Sequence, residues 1–484
     1  MRHRVTLALL VSVCTFLPVA PLAAQTKPAG EQDDVVRITT NLVQIDAVVT
    51  KDGKPVRDLK AEDFEIYQDG KKQTITTFAY ISNVSSDSSS PADKSSVTVP
   101  GGPIKRDVAR RTIAMVVDDL GLSFESIHHI RRQLRKFIAE ELQPNDLVAV
   151  IRTGGEMGAL QQFTNDKRLL NRAVEQIRWN LCSRVGISPL PRIGDTGVGA
   201  CDFLGSARTM NSLRFILESM GRLPGRKSMI LMSDAIPIRE DQEIVGGDES
   251  TAMTVDPYER DNSDGLQRIA EKAIRSSVVI YSVDTQGLQY TGLTAADSPR
   301  GIRPIGPQVN SLLSQRSRLL YERRAGGELI SRQTGGFQIR NSNDFQLDRI
   351  LEDQRGYYLI GYRPTEDTFN RQFHQIKAKV KRSGMTLRTR AGFYGITEED
   401  ANRARLTATD ETNLALTSPF EAPDLELDLT SFFANGKTEG SIVRSFINLK
   451  AADLTFMPVN GRRETSVEIH GIIFGNNGAI VEQV

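Results

Sequence analysis

The chain is short of the residues that most catalytic and structural devices need. Of 484 residues, three are cysteine, five are histidine and one is tryptophan. Cys14 lies inside an apolar run near the start, so a disulfide has one candidate pair, Cys182 and Cys201. No histidine lies near that pair, which argues against zinc. His128 and His129 are adjacent on an expected helix, where successive side chains point apart. HExxH, GxSxG and GxxxxGK[ST] are all absent, which removes the zincin, serine-hydrolase and phosphate-loop readings. Net charge is lacking too: Lys+Arg 61 against Asp+Glu 60 leaves +1. The balance offers no whole-chain attraction to nucleic acid or to an anionic membrane. The basic stretch 299–324 carries no interleaved aromatics for base stacking, so no nucleic acid is expected as a partner. Beyond residue 24 no run approaches the ~20 apolar residues that span a bilayer, so the mature chain is expected to have no transmembrane segment.

What is present begins with MRHR, then VTLALLVSVCTFLPVA, then PLAAQ. A basic start, a proline-broken apolar run and small residues at Ala23 and Ala24 form the pattern of a secretory signal peptide over 1–24. An uncleaved anchor is the alternative. Export would place the protein in the periplasm, at the cell surface or in the medium. There Cys182 and Cys201, which flank a Gly/Pro-rich loop, are expected to pair; two free thiols are the alternative. Such a loop closure contributes about 3 kcal/mol on the chain-entropy account.

Residues 36–81 read as an N-terminal β module. Val43, Ile45, Ala47 and Val49 alternate with more polar positions, and Asp69-Gly70 separates two short strands as a hairpin turn. Residues 82–108 form a Ser-rich linker. Over 109–345 the pattern changes. RTIAMVV, LVAVIRT, KSMILMS and VVIYSVD are continuous apolar runs, as in strands covered on both faces. Between them lie amphipathic stretches, the clearest placing Ile127, Ile130, Leu134, Phe137, Ile138 and Leu142 on one helical face. The succession predicts an α/β domain with a doubly wound, mostly parallel sheet of Rossmann type. Residues 346–395 follow as a β extension, and 411–484 as a C-terminal β module that is open to being incomplete.

In such a sheet ligands bind outside the carboxyl ends of the strands, where the strand order reverses. The residues expected there are Asp118, Asp119, Gly121 and Ser123, then Ser233 and Asp234, then Asp284 and Thr285. Carboxylates and hydroxyls are hard ligands suited to Mg²⁺, Mn²⁺ or Ca²⁺. Left unpaired, these acids would repel one another, which calls for a cation.

The order strand, Asp119-Leu-Gly121-Leu-Ser123, helix resembles the Asp-x-Ser-x-Ser metal site of von Willebrand factor A-type domains. LPGRKSMILMSDAIP (223–237) resembles the later strand whose aspartate completes that site. NLVQIDAVVTKDGKPVRDLKAEDFEIYQDGKKQTITTF near the start and YYLIGYRP through AGFYG near residue 395 extend the likeness. Together they resemble a von Willebrand factor A-related family of exported bacterial proteins of the acidobacterial type, over roughly 36–395.

The resemblance implies a von Willebrand A-like domain flanked by small β modules. It further implies a divalent cation on Asp119, Ser123 and Asp234, with Asp118, Ser206 and Thr209 as further candidates. Its implied role is adhesion-type binding of a protein partner in the cell envelope or outside it. Gly121 stands where the motif carries its first serine, Ala207 falls where a loop threonine is usual, and Ala235 replaces a glycine. The metal site is therefore expected to be degenerate. The purely structural use of Asp119 and Ser123 is to cap the helix and satisfy loop amides. Binding rather than catalysis is the leading expectation. A metal-assisted hydrolase outside the cytoplasm and a non-binding envelope scaffold are the alternatives.

Overall fold

The structure is a computed structural model. It describes residues 42–82, 111–155, 162–180, 183–185, 205–223, 225–241, 259–293, 305–395, 427–436, 440–450, 452, 454–474 and 480–484. The signal peptide expected over 1–24, the linker beyond residue 82, and both Cys182 and Cys201 lie outside the described residues. Among the described residues no helix is long and apolar enough to cross a membrane.

The first strands follow from period-two burial. They are β1 (Val43–Lys51), β2 (Lys54–Pro55), β3 (Phe64–Gln68), β4 (Lys71–Gln73) and β5 (Ile75–Ser82). Asp69 and Gly70 both take positive φ, 49° and 80°, in the tight turn joining β3 to β4, which is the geometry a two-residue hairpin loop demands.

The α/β domain follows. Its elements are β6 (Arg111–Val117), α1 (Phe124–Glu140), β7 (Asp146–Arg152), α2 (Lys167–Glu175), α3 (Gly205–Gly221), β8 (Lys227–Ser233), β9 (Arg239–Asp241), β10 (Glu259–Asp261), α4 (Ser263–Arg275), β11 (Val278–Asp284), α5 (Ile305–Gln333), β12 (Gln338–Ile339) and α6 (Leu347–Gln354). Five strands form a parallel sheet in the order β12-β11-β8-β6-β7. In β6, every residue after Arg111 is buried, because both faces of the sheet are covered. Ile113, Met115 and Val117 pack with residues of α1, α2 and α6. Ala114 and Val116 pack on the other side with residues of α3 and α4. Each large aliphatic side chain so buried contributes roughly 1.5–3 kcal/mol. The strand order reverses between β6 and β8, so the ends of these two strands open the crevice where a doubly wound sheet binds its ligands.

The chain then returns to the first strands through β13 (Gly356–Tyr362), β14 (Phe373–Val380), β15 (Thr386–Arg388) and β16 (Gly392–Tyr394). β1 pairs antiparallel with β13 and β15, β13 pairs with β5, and β14 pairs with β3 and β16. The two sheets share one core that includes Ile45, Ile66, Tyr358, Ile360, Ile376 and Phe393. The strands within 42–81 and 356–395, expected to lie in separate β pieces, thus form one antiparallel β-sandwich. The α/β domain is inserted between them. Arg226, just before β8, ties the two bodies together: it lies 3.7 Å from Asp46 of β1 and its guanidinium sits 4.8 Å from the ring centre of Tyr357. Ala391 N–H also donates to Gln333 O at the end of α5 at 2.9 Å.

The C-terminal segment forms three antiparallel hairpins: β17 (Leu427–Gly436) with β18 (Gly440–Leu449), β19 (Met457–Val459) with β20 (Arg462–Glu464), and β21 (Ile472–Phe474) with β22 (Ile480–Gln483). Among the described residues none beyond Phe393 joins the buried apolar core.

Candidate functional site at the carboxyl edge of the parallel sheet

Asp118 directly follows β6, and its N–H donates to Met232 O of the neighbouring strand at 2.9 Å. Its carboxylate is fully buried. Thr153 and Thr209 each donate a hydroxyl to Oδ1 at 2.7 Å. Ser233 donates to Oδ2 at 2.8 Å, and Arg184 Nη2 donates to the same oxygen at 2.7 Å. Asp119, one residue on, turns another way. It accepts from Gly154 N–H at 2.7 Å and lies 3.7 Å from an Arg152 nitrogen. Burial pushes its carboxyl above the usual range, against the pull of the Gly154 amide and of Arg152.

Asp234 follows β8 by one residue and sits at the start of α1. Ser123 caps that helix, its side chain accepting from Ser126 N–H. Ser123 N–H donates to Asp234 Oδ2 at 2.8 Å, and Ser126 Oγ bonds both carboxylate oxygens at 2.8 and 2.7 Å. The Thr285 hydroxyl, beyond β11, also donates to Asp234. A carboxylate at a helix N-terminus gains from the unpaired N–H groups and their dipoles. Burial still raises the Asp234 carboxyl above its usual range, with the Thr285, Ser123 and Ser126 hydrogen bonds opposing it. The last buried acid, Asp284, ends β11 and accepts from Arg324 Nε of α5 at 2.6 Å. Its burial outweighs that pairing and pushes it up to about 6.

The structure therefore brings Asp119, Ser123 and Asp234 to one edge and joins Ser123 to Asp234, but Asp119 has a separate set of partners. Asp118 and Thr209 do meet, and Ser206 is buried one turn before Thr209 on α3. Among the described residues no group of three or more His, Cys, Asp or Glu side chains is arranged to hold a metal ion. The oxygens that come together around Asp118 point at a guanidinium. Arg184 Nη2 donates to Asp118 and, at 2.8 Å, to Ala235 O, and Nη1 donates to Thr209 Oγ1 at 2.9 Å. The residues present do not fit a divalent ion in the arrangement that the Asp-x-Ser-x-Ser likeness implies. Three arginines, Arg152, Arg184 and Arg324, are the counter-charges to Asp119, Asp118 and Asp284.

Sequence reasoning passed over Arg184, Thr153 and Arg324, and took Ser126 only as an alternative to Ser123 as the helix cap. Ser126 carried a usable signal as a hydroxyl in the first turn of a helix. Arg184 carried none, since it lies in a segment without periodicity. An excess of buried acids demands positive charge but does not say which residue supplies it.

Beside these acids the edge carries exposed apolar side chains. The loop after β11 presents Leu288 and Tyr290, 65% and 69% exposed, and Leu293. The loop is held in place: Leu288 N–H donates to Asn343 Oδ1 at 3.0 Å, and Arg316 donates to Gly292 O at 2.8 Å. Gly287 takes φ +72°, and a Cβ there would run into Asn343, so glycine is required at this bend. Thr291 of the loop and Tyr321 of α5 line a groove of about 730 Å³, together with Leu320, Arg324 and Arg340.

No protein-family profile matches the chain, and no curated protein matches it in sequence. Solved structures similar to it include an aerotolerance-related membrane protein from Bacteroides fragilis. That protein is 14% identical, with 51% of this chain and 98% of that chain covered and a TM-score of 0.27. BatB from Bacteroides thetaiotaomicron is 13% identical, with 50% and 96% covered and a TM-score of 0.25. The type V pili tip protein Mfa5 from Porphyromonas gingivalis is 12% identical, with 50% and 52% covered and a TM-score of 0.23. At these scores they define neither the fold nor the function of the chain.

Proposed function

We propose that this is an exported binding protein, built on a von Willebrand A-like domain, that engages a protein partner of the cell envelope or its surroundings. The contact surface is the carboxyl edge of the parallel sheet. The observation that supports this most is the anchored loop carrying Leu288, Tyr290 and Leu293 beside the groove lined by Tyr321. Large apolar and aromatic side chains held out in water by a fixed loop are the usual anchors of protein interfaces. The buried acids support binding over catalysis. Each accepts from hydroxyl, amide or guanidinium donors, and none of the donors is a histidine that could serve as a base. The MRHR start and apolar run of 1–24 support export.

A pull-down from envelope extract tests the reading, comparing wild type with a Leu288→Ala/Tyr290→Ala variant, each with and without chelator. Wild type is expected to capture one partner equally well in chelator, and the variant roughly tenfold less. Equal capture by the variant would overturn this surface, and capture lost in chelator would restore a cation to it.

A further inference from the structure

We infer that Arg184 is a built-in cation: its guanidinium occupies a site whose oxygens would otherwise bind a divalent metal ion. The inference deepens the proposed binding reading, on which it rests for its biological meaning, by making the edge independent of metal.

The oxygens around the guanidinium are of three kinds. Asp118 Oδ2 supplies a carboxylate at 2.7 Å, Ala235 O a backbone carbonyl at 2.8 Å and Thr209 Oγ1 a hydroxyl at 2.9 Å. Ser233 Oγ, bonded to Asp118 Oδ2 at 2.8 Å and to Ala235 O at 3.1 Å, closes the same cluster. Carboxylate, carbonyl and hydroxyl oxygens together are the ligand set of hard cations such as Mg²⁺, Mn²⁺ and Ca²⁺. They lie at the switch point of the sheet, where ligands bind.

Two further observations show that the site is shaped for the arginine. The backbone beside it is pinned, with Arg184 N–H donating to Leu120 O at 2.9 Å and Ser183 Oγ donating to Leu122 O at 2.5 Å. Both acceptors belong to the loop that follows β6. Gly121, between them, leaves the space the guanidinium fills. A Cβ there would come within 3.0 Å of Asp118 Oδ2, Arg184 Nη2 and Ser233 Oγ. A side chain at 121 and the guanidinium exclude each other. Truncating Arg184 leaves a buried carboxylate with carbonyl and hydroxyl neighbours, and room for an ion with its waters.

The test is the thermal midpoint of the full chain, stripped with EDTA and then titrated with MnCl₂ or MgCl₂. Wild type is expected to show no shift. Arg184→Ala is expected to melt lower in EDTA and to regain several degrees with Mn²⁺. Arg184→Ala combined with Asp118→Asn is expected to lose that response. A Mn²⁺-dependent shift in wild type, or a folded Arg184→Ala variant that ignores both ions, would overturn the inference. If Arg184→Ala does not fold in EDTA, it is refolded with and without Mn²⁺. Recovery only with Mn²⁺ supports the inference, and no recovery in either refutes it. Because the readout is metal binding and not partner capture, failure here leaves the proposed binding surface to be judged by its own experiment.

Discussion

At position 121 a side chain has no room, because a Cβ would meet Asp118 Oδ2, Ser233 Oγ and, from 63 positions further along the chain, the Arg184 guanidinium. Glycine there is not simply a serine lost from a motif, since the volume has passed to a guanidinium. The same arithmetic of charge governs Asp284. Its carboxyl is raised from its ordinary 3.8 to about 6, burial being the largest cause and Arg324 opposing it. The folded chain therefore holds this proton over a pH range where the unfolded chain has released it. Stability from this group is greatest below about pH 4 and is lost as pH rises through about 6. A shift of this size corresponds to roughly 3 kcal/mol in the limit. Asp119 and Asp234 are raised for the same cause and act in the same direction. The urea midpoint is expected to rise between pH 7 and pH 5, and Asp284→Asn should remove part of that rise. A variant whose midpoint climbs as steeply as wild type would show that Asp284 is not a source of the effect.

Among the elements, β6, β8 and β11 were legible in the sequence because strands buried on both faces leave unbroken apolar runs. The apolar face of α1 was legible for the complementary reason, since Ile127, Ile130, Leu134, Phe137 and Ile138 recur at helical spacing and are buried. Ser123 was also placed correctly as a candidate cap. The full length of α5 was not legible. Its first turns are polar and basic, and the helical pattern is read only over 319–336, with its stop at Gly335-Gly336. In the fold Gly326 lies where α5 crosses the segment after β8. Gly326 N–H donates to Ile236 O at 2.9 Å, Ile236 N–H donates to Arg323 O at 2.8 Å, and a Cβ at 326 would meet Ile236 O. The sandwich pairing was hidden for a different reason. Alternation says that a strand is half buried but not which strand covers it, and Leu59 meets the Tyr358 hydroxyl across 299 residues. Arg184 was hidden for both reasons at once: its segment has no period, and its partners are distant in sequence.

At the scale of the whole molecule the chain is a sandwich interrupted by an α/β domain, and the junction is polar. Arg226 sits between Asp46 and the Tyr357 ring. Close by in the fold, Tyr281 of β11 donates to Asp353 at 2.5 Å, and Arg388 pairs with that same carboxylate. Contacts of this kind couple two bodies only while their buried charges stay matched. Arg226→Ala is expected to cost about 2 kcal/mol. It should also split calorimetric unfolding of the two bodies into separate transitions, where wild type is expected to melt in a single one. One unchanged transition in the variant would mean that other contacts hold the bodies together.

Residue 121 and the Arg184 guanidinium compete for one volume beside Asp118. A double-mutant cycle on urea stability, with Gly121→Ser, Arg184→Ala and the two combined, measures that competition directly. Gly121→Ser alone should cost about 2 kcal/mol by crowding, and Arg184→Ala roughly 3–5 kcal/mol by stranding a buried carboxylate. Together they should cost less than their sum by about 1–3 kcal/mol, because the clash with the guanidinium disappears and the new side chain then has only Asp118 and Ser233 to displace. Costs that add to within about 0.5 kcal/mol would mean that residue 121 and the guanidinium do not share that volume.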